Sequence, residues 1–457
     1  MPSILRSVGV DVGTTTTQLI VSQITAENRA SAFAVPQMEI TRREILYRSP
    51  VHFTPLLSGE LVDGDKIRAI VAAEYENAGI RRQDVDTGAI IITGETSRKE
   101  NAAAVLSAIS DLAGDFVVAT AGPDLESVLA AKGAGAVGFS EQTHKPVLHM
   151  DIGGGTSNLA LIEDGRILAT ACLNVGGRLL KFEKTGRVTY VSPVLEELIP
   201  YQVGDTVTED QASAVAQMLA GVLEMAAGLR QKEAVFHRLT THGTQSLEGV
   251  GEVVLSFSGG VADCIDSRQP WLRYGDLGPL LGQAIKGGAL CRGQYRLGSE
   301  TIRATVIGAG CHSTQLSGST VYLHRVELPM KNLAVAAISR QEQALPREAL
   351  SGLIKKRLGA LEQWGVLALP GWNAPSYSRI TELADAISEA VGDKPCYIAL
   401  EEDMAKALGH ALALRLPEAT PCLCIDRVRI PPESYLDVGA AVGSAISVVI
   451  KTLILSH

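Results

Sequence analysis

Two stretches of the chain share one hydropathic pattern. Residues 8–24 read VGVDVGTTTTQLIVSQI: an apolar run, an aspartate–glycine turn lined with threonines, and a second apolar run. Residues 150–162 read MDIGGGTSNLALI, with VLHM leading into the aspartate and NLALI alternating after the glycines. Alternation on both sides of a short glycine turn predicts strand, tight turn and returning strand. Each stretch is therefore a hairpin and not the strand–turn–helix of a dinucleotide fold.

The pattern between and beyond them predicts an α/β chain. In the first part, 64–79 is helical with Ile67, Ile70 and Val71 apolar and Gly79 closing it; 88–94 (GAIIITG) is a buried central strand; 95–114 is a helix, and DFVVATAG a further strand. Glycines and small residues in 132–146 (KGAGAVGFSEQTHKP) predict the join to a second lobe. There EDGRILATACLNVGG adds a third strand, 178–205 is a less regular insertion, and 208–229 is a helix with Thr208 as its cap. Asn174, Gly176 and Gly177 read as a glycine-rich turn, and His237 and His242 as solvated side chains flanking a polar loop. After Gly318 come LAVAAIS, helices over 345–365, 379–392 and 402–416, the strands PCYIALE and CLCIDRVRI, and a last β-branched strand, AISVVIKTLIL, with WNAPSYS as a loop near Trp372. The expected division is 1–140 for the first lobe, 141–320 for the second and 321–457 for a C-terminal α/β module.

Composition narrows the picture. The chain has 457 residues, 46% apolar and 20% charged, with a formal charge of −9, which disfavours nucleic acid as a partner. Seven scattered cysteines suit a reducing compartment, and Cys422 and Cys424 read as core thiols and not as metal ligands. No apolar run reaches the roughly 20 residues of a membrane span, and MPSILRSVGVDVG enters a core strand directly, so the cytoplasm is the expected location.

The turns carry the candidate chemistry. Three consecutive glycines, Gly153, Gly154 and Gly155, let backbone N–H groups approach an anion closely, with Thr156 adding a hydroxyl. Gly13, Thr14, Thr15 and Thr16 form the equivalent rim in the first copy. Asp11 and Asp151, at the ends of the entering strands, are placed to hold Mg²⁺ through water. A nucleotide phosphate tail held between two such turns would have donors on both sides. In TGETSRKEN, Glu95 and Thr96 stand at the end of a central strand, where they either orient an attacking water or simply cap the following helix.

DVGTTTTQL and DIGGGTSNLAL resemble the two phosphate motifs of the actin-like ATPase superfamily, which includes actin, heat-shock chaperone ATPases and sugar kinases. VVLSFSGGVADCI resembles its adenosine motif, implying Ser258, Gly259 and Gly260 against adenosine, and RATVIGAGCHSTQLSG is similar to its lobe-connecting helix. The implied fold is a pair of duplicated actin-like (ribonuclease H-like) lobes with an added module, and the implied cofactors are ATP and Mg²⁺. TGETSRKENA, GAGCHSTQLSGSTV and YLDVGAAVGSAISVVIKTLIL extend the resemblance over the whole chain to the large ATPase factors that reactivate ethanolamine ammonia-lyase. One departure is AAVGSAIS after YLDVG, where the resemblance leads one to expect a Gly/Pro-rich turn. Such factors release damaged cobalamin so that adenosylcobalamin can rebind. The resemblance thus implies cobalamin-bound ethanolamine ammonia-lyase and ATP/ADP as partners, with no membrane or nucleic acid. It leaves room for a homodimer and for association with the microcompartment of ethanolamine utilisation. Two alternatives stay open: a small-molecule kinase of the superfamily, with Asp124 or Asp263 as its base, and a nucleotide-binding assembly scaffold without turnover.

Overall fold

The computed structural model describes residues 3–13, 16–28, 38–58, 61–93, 117–120, 122–243, 253–312, 314–316, 321–361, 363–428, 430, 434–442 and 445–452. Thr14, Thr15, Glu95, Thr96 and the expected helix over 95–114 lie outside them.

Two sheets repeat one topology. In the first, Ser3–Val12 pairs antiparallel with Thr16–Asn28, which pairs antiparallel with Met38–Arg48; on its other side Ser3–Val12 runs parallel to Thr87–Ile92, and that to Val117–Thr120. In the second, Val147–Ile152 pairs antiparallel with Ser157–Glu163, and that with Arg166–Leu173; Val254–Ser258 and Tyr295–Leu297 extend the other side in parallel. Numbered by sequence within each half, both give the order 3-2-1-4-5, the duplicated ribonuclease H-like arrangement of actin-like proteins. The buried runs GAIII and VLSFS are the fourth strands, covered on both faces, and so show no alternation.

A third sheet has eight strands. Met330–Ala337, Val366–Leu369, Cys396–Leu400 and Cys422–Ile425 run parallel in its middle, and antiparallel strands flank them, including Ser434–Val442 and Ala445–Thr452. Alternate side chains separate into two apolar layers. Leu367, Leu369, Ile398 and Leu400 pack under the helices Arg347–Gly359, Tyr377–Val391 and Ala405–Ala413, whereas Val366, Ala368, Ala399 and Leu423 join Leu436 and Val448. Cys422 and Cys424 are buried in the first layer.

Local signals fared differently. Thr208 caps Glu209–Ala226 with a capping box to Gln211, as its sequence predicts. The stretch expected as a simple join is instead folded: Gly135, at φ +75°, turns the chain into the helix Ala136–Thr143. His237 and His242 do not flank a loop. Ala234–Leu239 is helical, and Thr240–His242 adds a strand against Cys172 and Leu173, an edge pairing that local polarity does not reveal. No described helix is long and apolar enough to cross a membrane.

Two helices cross between the lobes: Pro123–Gly133, and Ala304–Ile307 with its π-helical continuation Gly308–His312. They meet backbone to backbone. A Cβ on Gly133 would lie 1.8 Å from the Ala304 carbonyl oxygen, and one on Gly308 would lie 2.0 Å from that of Leu129. Gly9 of the first strand meets the same segment, with Val306 O 2.6 Å from its would-be Cβ. Further bonds tie the first lobe to the segment around it: Gln18 Nε2 donates to Ile302 O at 3.2 Å and Arg43 Nε to Cys311 O at 2.7 Å. Gly308→Ala is therefore expected to destabilise by about 1–3 kcal/mol through overpacking. Gly352→Ala, in an exposed helix interior with nothing within 4 Å of the added methyl, is expected to stabilise by roughly 0.5–1 kcal/mol. Thermal unfolding of the two variants beside the parent checks the opposite signs.

Candidate functional site

The two predicted turns close with the same bond. The N–H of Gly13 donates to the Thr16 carbonyl at 2.9 Å, and that of Gly153 to the Thr156 carbonyl at 2.9 Å. The hairpin registers match too, placing Asp11 opposite Gln18 and Asp151 opposite Asn158. Each acid also receives a hydroxyl from the end of the neighbouring parallel strand. Thr93 Oγ1 donates to Asp11 Oδ1 at 2.7 Å, and Ser258 Oγ donates to Asp151 Oδ1.

Both turns line one cleft of about 280 Å³ between the lobes. Asp11, Gly13 and Thr16 come from the first lobe; Asp151, Gly153, Gly154, Gly155 and Thr156 come from the second, with Gly259 and Gly260 beside them. Gly259 has φ +85°, and a Cβ there would meet Ile152 O at 2.3 Å, so only glycine lets this strand end pass so close to the second turn. Gly176 is pressed against the same turn, its would-be Cβ 2.3 Å from Gly154 O, while Gly177 lines the cleft.

The two acids resist ionisation. Burial pushes the Asp151 carboxyl up to about 6 against its hydrogen bonds from Ser258 and Thr305. Asp11 is only half-buried by surface, yet the surrounding protein strips enough water to push it up to about 7, opposed by Thr93 and reinforced by the charge of Asp151. Asp11 and Asp151 could hold a cation between them. Gln18 and Asn158 line the cleft and are nearly fully buried, and their side-chain amides donate to Ile302 O and Glu126 Oε2, yet Gln18 Oε1 and Asn158 Oδ1 have no donor among the described residues. Those two oxygens are shielded from solvent, so the groups that could hold a hard cation such as Mg²⁺ through water are the carboxyls of Asp11 and Asp151.

Behind Asp151 lies a buried relay. His149 bonds Ser256 Oγ through Nδ1 at 3.1 Å and Ser258 Oγ through Nε2 at 2.9 Å, and all three residues are 0% exposed. Burial depresses the His149 pKa to about 3, so the imidazole is neutral. Ser258 gives its proton to Asp151 and must accept from His149 Nε2–H, which leaves Nδ1 to accept from Ser256. Ser258 thus stands directly opposite Asp151 on the neighbouring strand, with its hydroxyl bonded to that acid.

Sequence patterns did not single out Gln18, Asn158, His149, Glu126 or Arg178. The +7 spacing of Asp11 to Gln18 and of Asp151 to Asn158, repeated in both hairpins, was the signal available for the first two. Of the alternative bases, Asp263 lines the cleft, bonded by Thr301; Asp124 accepts from Thr170 and is not part of the lining.

Comparisons with known proteins match the sequence over nearly the whole chain. The family model described as "Ethanolamine utilisation protein EutA" matches residues 3–456. The chain is 39% identical over 465 residues to the ethanolamine ammonia-lyase reactivase EutA of Salmonella typhimurium, covering 98% of each chain. It is 37% identical over 471 residues to that of Escherichia coli, again covering 98% of each. Among solved structures, it is similar to ethanolamine utilization protein EutJ from Carboxydothermus hydrogenoformans (TM-score 0.35, 17% identity, 66% of this chain and 88% of that one). It is also similar to the Ppx/GppA family member of Aquifex aeolicus (TM-score 0.36, 15% identity, 57% and 68%). With both glycine turns, both lobes and the third sheet inside one continuous match, the chain belongs to the EutA family of ethanolamine utilisation proteins.

Proposed function

We propose that this protein is a reactivase of ethanolamine ammonia-lyase that uses ATP and Mg²⁺ to drive release of damaged cobalamin from the inactivated enzyme, so that adenosylcobalamin can rebind. The observation that carries the nucleotide part is the single cleft faced by two turns of matching geometry, one from each lobe. The target enzyme comes from the curated relatives, each named a reactivase of that enzyme and matched along nearly its full length.

A phosphate tail in this cleft would lie between the two turns, with Gly13 and Thr16 on one side and Gly153, Gly154, Gly155 and Thr156 on the other; the N–H groups of Gly13 and Gly153 close their own turns, so the donors would come from the other residues of each rim. Thr14 and Thr15 complete the first rim in this scheme, and Gly259 and Gly260 face the nucleoside. Asp11 and Asp151 would hold Mg²⁺, which would supply charge neutralisation for the phosphates. The relay from His149 through Ser258 fixes the orientation of Asp151. A ligand gripped by both lobes favours the closed arrangement, and loss of its terminal phosphate weakens the grip, so turnover becomes an opening and closing of the lobes. Glu126, a buried acid on the cleft wall bonded by Asn158 at 2.7 Å, is placed to orient the attacking water. Glu95 and Thr96 are the alternative for that role. The module over 321–457 is a unit of its own in this scheme, following lobes over 1–140 and 141–320.

Asp11→Asn and Asp151→Asn are expected to abolish ATP hydrolysis with the fold intact. They carry a signature in stability as well. A carboxyl whose folded pKa lies above its ordinary 3.8 favours folding while protonated and opposes it once ionised, so its contribution is lost as pH rises through about 7 for Asp11. Without nucleotide at about pH 8, Asp11→Asn should therefore raise the Tm by a few degrees, and the gain should shrink toward pH 5. A variant with parental ATPase and no such pH-dependent gain removes the clamp assignment. Glu126→Gln is expected to lower turnover by about 10²-fold with nucleotide affinity kept, whereas Glu95→Gln with that phenotype and Glu126→Gln without it moves the role to Glu95. For the whole activity, ethanolamine ammonia-lyase inactivated with cyanocobalamin is incubated with the protein, ATP, Mg²⁺ and adenosylcobalamin. Ammonia release should return with the parent and not with Asp151→Asn, and its failure to return with a hydrolysis-competent parent rejects the reactivase assignment.

A further inference from the structure

The cleft is strongly acidic. Asp11, Glu126, Asp151, Asp263 and Asp276 line it, and among its described lining residues Arg178 is the single cation. Its position is fixed by backbone bonds to the second turn: Gly177 N–H donates to Gly153 O at 3.0 Å and Arg178 N–H to Gly154 O at 2.6 Å. The side chain, about one-quarter exposed, uses Nε to bond Asp276 Oδ2 at 3.2 Å. Asp276 is anchored in turn, its Oδ1 accepting from Gly278 N–H at 2.8 Å where a helix begins. Neither Nη atom of Arg178 has a hydrogen-bond partner among the described residues. The guanidinium is thus steered by one edge and presents its two-pronged edge unused, the geometry that binds a phosphoryl group bidentately.

Arg178 also reaches across the cleft. Its Cζ lies 5.8 Å from the ring centroid of Phe53, in the first lobe. Phe53 is not a distant bystander: His52–Phe53 pairs with Thr16 and Thr17 on the exit strand of the first turn, and Thr54 Oγ1 donates to Gly13 O at 2.7 Å. One side chain therefore hangs from the second turn and touches a segment bonded to the first.

We propose that Arg178 grips the terminal phosphate of the bound nucleotide through its two Nη atoms, so that it distinguishes a nucleoside triphosphate from a diphosphate and couples that difference to the contact between the lobes at Phe53. This rests on the nucleotide-binding function proposed above. Asp276 keeps the guanidinium aimed through Nε while the prongs take the phosphate. With a diphosphate the prongs have no anion to hold, and the remaining tie between the lobes on this side is the weak contact of cation and ring.

The test uses the full-length chain with Mg²⁺ and measures, by titration calorimetry, affinity for ADP and for a non-hydrolysable ATP analogue. The parent is expected to prefer the analogue by about ten-fold or more, the scale of a bidentate charge-assisted contact. In Arg178→Gln that preference should fall to about one while ADP affinity changes less than about three-fold, and Arg178→Lys, which keeps charge and loses the fork, should fall between them. Lys181→Ala, which removes a nearby cation outside the cleft lining, should leave the preference as in the parent. A parental preference retained in Arg178→Gln, or in Arg178→Lys should the glutamine variant not fold, overturns the assignment and leaves nucleotide binding standing. A parent that binds neither nucleotide overturns both.

Discussion

Two carboxyl groups, Asp11 and Asp151, are held facing one another where water is scarce, and the rest of the site follows from that constraint. Each sits at the end of a strand in the middle of its sheet, so neither can swing out to solvent. Each is fastened by one hydroxyl, from Thr93 or Ser258, which orients the carboxyl but supplies too little to pay for its charge. The cleft is consequently walled by two acids that are costly to ionise. In the proposed scheme a hydrated divalent cation carrying a polyanion would meet both acids at once, so that the two lobes would share one ligand.

The two interlobe helices cross closely. At Gly133 and Gly308 the backbones touch with no side chains between them, so the crossing cannot be padded without being pushed apart, and Ala130, Ala134 and Ala304 pack together beside it. The first strand rests on the same segment at Gly9 and Gly310. Gly9 at this crossing and Asp11 at the cleft are therefore only two residues apart on one strand. Glycine at these places buys close approach of carbonyls and not turn conformation, since none of the four has a positive φ.

The parts of the architecture that sequence made legible are those written in short-range periodicity. Both hairpins, the buried fourth strands, the Thr208 cap and the principal helices of the C-terminal module can be read from alternation, apolar runs and capping residues. Thr14, Thr15, Glu95 and Thr96, although prominent in those patterns, fall outside the described residues. What escaped was fixed by contacts distant in the chain. The bond of Ser258 to Asp151 depends on a register with a strand 107 residues away. Arg178 lay in a stretch read as irregular, and its meaning comes from Asp276 and Phe53, on opposite sides of it in sequence and in different lobes. The strand Val366–Leu369 is too short for a periodic signal and is recognised by its neighbours in the parallel sheet.

The duplication is imperfect, and the imperfections separate the roles of the two halves. Both hairpins share the turn bond, the acid, the facing amide and the supporting hydroxyl. Only the second has three glycines in its turn, a neutral histidine behind its hydroxyl and an arginine hung on its rim. The first has threonines in the turn and a segment, His52–Phe53, that leads straight to the surface, where Phe53 is 76% exposed. The second lobe thus holds the rigid, pre-oriented half of the site, with Asp151 locked through Ser258 and His149. The first lobe holds the half whose partners reach outward, through His52–Phe53 to the surface.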